Sequence, residues 1–107
     1  MRELSVHALR AALDDGSAAA WQVIDVREPW EHALCAIPAA RLMPMQSLPP
    51  RMGELDPART TVVLCHHGAR SFQVALWLER SGFTDVANLD GGIDAWARGV
   101  EPGMPLY

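Results

Sequence analysis

"TTVVLCHHGARSFQVALWLER", residues 60–80, joins two unlike halves. Thr60 to Leu64 is β-branched, uncharged and short, which predicts a buried strand ending at Cys65. Arg70 to Arg80 predicts a helix, with Phe72, Ala75, Leu76 and Leu78 against more polar positions such as Glu79. Gly82 stands where a left-handed residue ends a helix. The loop between the halves holds Cys65, His66, His67, Gly68 and Ala69, with Arg70 and Ser71 at the helix start. A strand followed by a short loop and a helix is the repeating unit of an α/β sheet, and both flanks extend that pattern.

On the N-terminal side, Ser5 is placed to cap a helix starting at Val6, and "DDGS" ends it. Gln22 to Asp25 in "WQVIDV" predicts a second buried strand, with Asp25 at its C-terminal end. Pro29 suits the first turn of a short helix running to about Ala33. A brief strand near residues 41–43 and one or two helical turns in "LPPRMGELD" complete this half. Beyond Gly82, "VANL" predicts a strand, "GGIDAWARG" a short helix, and "VEPGMPLY" a coil. The order runs helix, strand, and so on in alternation. It predicts one α/β domain over residues 1–107, with a mainly parallel sheet of four to five strands and helices on both faces.

Composition narrows the function classes. A chain of 107 residues is the size of one domain, and the formal net charge of −4 comes with no basic stripe. Nucleic acid is therefore not an expected partner. The N-terminal stretch is charged and carries no long apolar run, so neither a membrane span nor a leader is expected, and the default setting is the cytoplasm. The two cysteines, Cys35 and Cys65, form no Cys-x-x-Cys pair, so neither a disulfide framework nor a structural zinc site is expected.

Ligands of open α/β sheets bind at the carboxyl ends of strands, where Cys65 and Asp25 both lie. A helix start just after Cys65 turns free N–H groups and a positive dipole end toward the thiol. Gly68 permits the tight backbone that lets those groups converge. Arg70 adds a positive charge, and Ser71 adds a cap or a hydrogen-bond donor. Each feature favours a thiolate. Adjacent loop histidines are expected to point apart, so His66 and His67 predict no metal site; protonated near neutral pH, they would draw an anion to the mouth.

The motif "CHHGARS" resembles the active-site loop of the rhodanese family of sulfurtransferases, whose single-domain members often show Cys-x-x-Gly-x-Arg-Ser. "IDVREPWEH", from Ile24 to His32, is similar to that family's Asp-Val-Arg-Glu-x-x-Glu segment. "LDGGIDAW", from Leu89 to Trp96, is similar to its Leu-x-Gly-Gly-x-x-x-Trp element. The order and separation of the three also match. One stretch departs: the family's Gly-His-Ile-Pro-Gly-Ala is "CAIPAA" here, which places a cysteine, Cys35, where a glycine is usual.

The resemblance implies a rhodanese-like three-layer domain and a double displacement. Cys65 would take a sulfane sulfur from a small anionic donor such as thiosulfate, or from a persulfide-donor protein, and carry it as a persulfide, with no cofactor. It would then pass it to cyanide in vitro, or to a thiol or a sulfur-carrier protein. Residues 66–71 would cradle the persulfide, and Asp25 would lie beside the loop and help fix it, its buried carboxylate accepting from loop N–H groups or pairing with an arginine. Arg27 would make a structural ion pair or meet Glu28, Glu31 or the donor. Four residues separate Cys65 from Arg70. Cysteine phosphatases carry one more, in a bowl sized for a tetrahedral oxyanion, so this shorter loop suits a single extra sulfur. Two other readings stay open on the residues alone: a binding or regulatory module that keeps the fold without turnover, and an oxyanion enzyme of phosphatase or arsenate-reductase type. Cys35 reads as core or as a resolving thiol, and Trp77, Trp96 and Trp30 as packing residues.

Overall fold

In the computed structural model, which describes residues 1–107, five parallel strands form one sheet in the order β1-β5-β4-β2-β3. The strands are β1 (Arg2–Leu4), β2 (Gln22–Asp25), β3 (Arg41–Leu42), β4 (Thr61–Leu64) and β5 (Val86–Leu89). The helices are α1 (Val6–Asp15), α2 (Pro29–Leu34), α3 (Leu48–Arg51), α4 (Ala69–Arg80) and α5 (Gly92–Gly99). β1 was not expected from the sequence: the chain opens with an edge strand paired with β5, and the first helix follows it. Only three residues long and charged at two of them, β1 carries little pattern of its own, and its register comes from its neighbour.

The central strands are buried along their whole length, as parallel strands covered on both faces must be. Alternate residues divide between two cores. Val23, Val62, Leu64, Ala87 and Leu89 pack with Leu9 of α1 and Ile93 and Trp96 of α5. Ile24, Val63, Cys65 and Val86 pack with Leu48 of α3 and Val74, Ala75 and Leu78 of α4. The two layers of helices and the sheet make three layers. On α4 the buried face is Ser71, Val74, Ala75 and Leu78, whereas Phe72 is exposed, a departure from the expected apolar stripe. Position 71 is occupied by a buried polar residue because that face meets the cysteine loop.

The caps follow the sequence. The Ser5 hydroxyl accepts from the Ala8 N–H, Gly16 closes α1 with φ of 85°, and Glu28 and Glu31 form a capping box on α2. No helix is long and apolar enough to cross a membrane.

Candidate functional site

β4 delivers Cys65 to the floor of a loop that turns back through Gly68, at φ of 108°, into α4. That backbone is open to glycine and strained for other residues. The turn aims donors at one atom. The N–H groups of Gly68 and Ser71 lie 3.1 and 3.4 Å from Cys65 Sγ, and the Ser71 hydroxyl 3.3 Å from it. Ser71 Oγ also lies 2.5 Å from Asn88 Oδ1, and the Asn88 amide donates to the Gly68 carbonyl and to Glu3. Asn88 on β5 thus pins both ends of the turn. Nothing in the sequence distinguished it except a polar residue inside an otherwise apolar strand.

Burial pushes the Cys65 thiol up, but the Ser71 hydroxyl and the N–H groups of Ser71, Gly68 and Arg70 favour the thiolate, and the net shift is downward. Of the loop N–H groups expected to converge, the structure brings those of Gly68 and Ser71 within hydrogen-bond distance of sulfur. Cys65 is 1% exposed, so the sulfur sits in a dry, donor-lined hole.

The start of α5 locks the loop from the other side. The N–H groups of Ile93 and Asp94 donate to the carbonyls of Cys65 and His66, at 2.9 and 3.1 Å. A Cβ on Gly92, whose φ is 61°, would stand 2.5 Å from each of those carbonyl oxygens. This close approach explains the second glycine of "LDGGIDAW".

Arg70 does not stand free. Its guanidinium makes a two-pronged pair with Glu31 of α2, at 2.7 and 2.8 Å. Arg70 holds the Glu31 carboxyl down to about 2, despite its burial. The pair raises Arg70 in turn, with the nearby Cys65 charge adding to the effect. The loop's cation is therefore fixed and half neutralised, rather than the isolated charge that spacing alone suggests.

Asp25 and Arg27 are both fully buried and pair with each other, the shortest contact being 2.7 Å. Arg27 also donates to the carbonyls of Glu31 and Cys35 and to the Tyr107 hydroxyl. The structural ion pair is as expected for Arg27. Of the two ways open to a buried carboxylate there, Asp25 takes the second and pairs with an arginine: it accepts from the Arg27 N–H and guanidinium and from no N–H group of the cysteine loop. Two charges buried this deeply need each other, and residue 27 is the nearest cation in the chain.

The histidines also differ from expectation. Their rings do not diverge but form a tilted stack, with centroids 3.9 Å apart at 32°. One ligand atom from each of His66, His67 and Asp94 falls within 4.8 Å of the others. Asp94 already holds Arg98 at 3.0 Å, which competes with a cation for its carboxylate. Burial, and then the neighbouring His67, lower the His66 pKa, which disfavours its charged form.

Tyr107, in the stretch expected to be coil, reaches the site. Its ring stacks on His66 at 3.8 Å and 5°, and its hydroxyl donates to Glu31 at 2.7 Å. Trp30, 63% exposed, meets that ring edge-on instead of packing in the core. Trp96 is fully buried, as expected. Cys35 lies in the α1–α5 core and Cys65 in the α3–α4 core, so the sheet separates them, and both are free.

The chain matches the family model described as "Rhodanese-like domain" over residues 5–99. It is 43% identical over 84 residues to a protein of Allochromatium vinosum named "Sulfurtransferase", covering 78% of this chain and 76% of that one. It is 41% identical over 90 residues to the Arabidopsis thaliana "Rhodanese-like/PpiC domain-containing protein 12, chloroplastic", covering 80% of this chain but only 30% of that protein. Among solved structures, the rhodanese-like domain protein from Staphylococcus aureus superposes with a TM-score of 0.83 at 29% identity, covering 100% of this chain and 99% of that one.

Proposed function

The chain belongs to the rhodanese-like domain family, a family of sulfurtransferases, and on that premise we propose that it moves a sulfane sulfur through a persulfide on Cys65. The observation that carries this reading is the set of donors on one buried sulfur: the Gly68 and Ser71 N–H groups and the Ser71 hydroxyl.

The Cys65 thiolate attacks the outer sulfur of thiosulfate. The new S–S bond forms as the old one breaks, and sulfite leaves with the electron pair. Splitting the transfer in two lowers each barrier, because a positioned, low-pKa thiolate does the first step. Donors already aimed at Sγ hold the thiolate ready for attack without reorganising. Arg70, steadied by Glu31, keeps N–H groups outside that pair for the anionic donor. An acceptor then attacks the outer sulfur and restores the thiolate: cyanide in the test tube, a thiol or sulfur-carrier protein in the cell. The sulfur is held covalently throughout, so the cycle needs no cofactor and no metal.

The deciding experiment incubates the protein with thiosulfate, looks by intact mass for a gain of one sulfur, then adds cyanide and measures thiocyanate. Cys65→Ser abolishes both signals. Absence of an adduct on the unaltered protein overturns the reading, and turnover of a phosphate ester in its place supports an oxyanion enzyme.

A further inference from the structure

Tyr107 lies outside the stretch that the family model covers, residues 5–99, yet it touches the site at three points. Its hydroxyl donates to Glu31 Oε2, the oxygen that also accepts from Arg70 Nη2 at 2.8 Å. The same hydroxyl accepts from Arg27 Nη1 at 3.0 Å. Its ring lies flat on His66, the residue after the nucleophile. Trp30 supports the ring edge-on.

These contacts form one chain of dependence. Arg27 is locked by Asp25 and by two main-chain carbonyls, so it cannot shift. It fixes the tyrosine oxygen, which in turn fixes one oxygen of Glu31. The other oxygen of Glu31 is held by the Glu28 N–H and by Arg70 Nη1. Glu31 is thereby held at both oxygens, and Arg70 has one place to be. Arg70 is the only partly exposed member of this chain of charges, with 37% of its side chain open to solvent. A long exposed arginine costs rotamer entropy to hold, and a rigid bidentate partner removes much of that cost in advance.

We propose that Tyr107 is a positioning residue. Its hydroxyl holds Glu31, and through it Arg70, where the arginine meets an anionic reactant entering toward Cys65. This rests on the reading of Cys65 as the nucleophile that receives an anionic donor. Tyr107 itself touches no reacting atom.

The test needs no sulfur transfer, so its failure is separable from failure of that reading. Cys65 is alkylated in parallel with iodoacetate, an anion, and iodoacetamide, its neutral counterpart, and the ratio of the two rates is taken. Tyr107→Phe keeps the ring on His66 and removes only the hydroxyl. It lowers the ratio by about three- to tenfold, the effect of one hydrogen bond lost at a remove from the entering anion, while the iodoacetamide rate stays within about twofold. Arg70→Ala lowers the ratio at least as far. In the Arg70→Ala background, Tyr107→Phe then has no further effect, because the two act through one route. An unchanged ratio in Tyr107→Phe overturns the proposal. So does a drop of equal size with and without Arg70. Thiosulfate loading of the unaltered protein tests the underlying reading independently.

Discussion

The Ser71 hydroxyl stands between two acceptors, 3.3 Å from Cys65 Sγ and 2.5 Å from Asn88 Oδ1. It has one proton to give. Donated to sulfur, it favours the thiolate; turned to Asn88, it holds the loop on β5. One residue therefore links the ionisation of the Cys65 thiol to the anchoring of its loop.

Ser71→Ala removes the largest influence that lowers the Cys65 pKa, while burial, which raises it, remains. The midpoint of alkylation against pH moves upward. At neutral pH the iodoacetamide rate falls by about three- to tenfold, because less of the thiol is ionised. Stopped alkylation followed by mass spectrometry reads both. An unmoved midpoint would mean that the N–H groups alone set the thiolate.

Glu31 gives the protein an acid limit. Its folded-state pKa lies at about 2, below the ordinary value of 4.5, so its stabilisation is fully present above the ordinary value and is lost as pH falls through about 2. Glu31→Gln has no such titration and flattens the stability curve between about pH 5 and 2. At neutral pH the variant is less stable by about 1–3 kcal/mol, since Arg70 loses a charged partner. Urea melts across this range measure both effects.

Gly92→Ala is expected to be the most damaging single methyl addition near the site. The new Cβ meets the Cys65 and His66 carbonyls, and the positive φ is unfavourable for alanine. A loss of about 2–4 kcal/mol follows, since strain and a backbone clash add. Thermal melting shows it. Any folded fraction alkylates more slowly, because the loop that aims the donors is displaced.

Breaking the buried Asp25–Arg27 pair on one side costs more than replacing it whole. Asp25→Asn leaves Arg27 charged and fully buried, at a cost of about 3–5 kcal/mol. Asp25→Leu combined with Arg27→Met costs less than the sum of the single variants, a coupling that a double-mutant cycle in urea measures directly.

Much of this was readable in the chain. The strand–loop–helix around Cys65 announced itself because apolar period, glycine and cap residues all agreed, and agreement across levels marks a specified fold. The two glycines of "LDGGIDAW" were matched as a motif before the close approach that requires the second one was visible. What escaped was long-range. β1 is too short to show a period, and Asn88 is polar only because a loop from another strand lies over it. The Glu31–Arg70 and Tyr107–His66 pairs join residues far apart in sequence, and no local pattern predicts them. The histidines misled for the opposite reason: local geometry suggests diverging rings, but a tyrosine from the tail provides a surface on which one of them lies flat.

The division of the core into two halves has a chemical corollary. Cys35 and Cys65 are walled off from each other by the sheet itself. If Cys65 carries a persulfide as proposed, no thiol of its own core stands beside it to discharge it as a disulfide, which needs side chains that face one another. On the proposed route, the sulfur would then wait for an acceptor from outside the molecule, whose supply would set how long the charged state lasts.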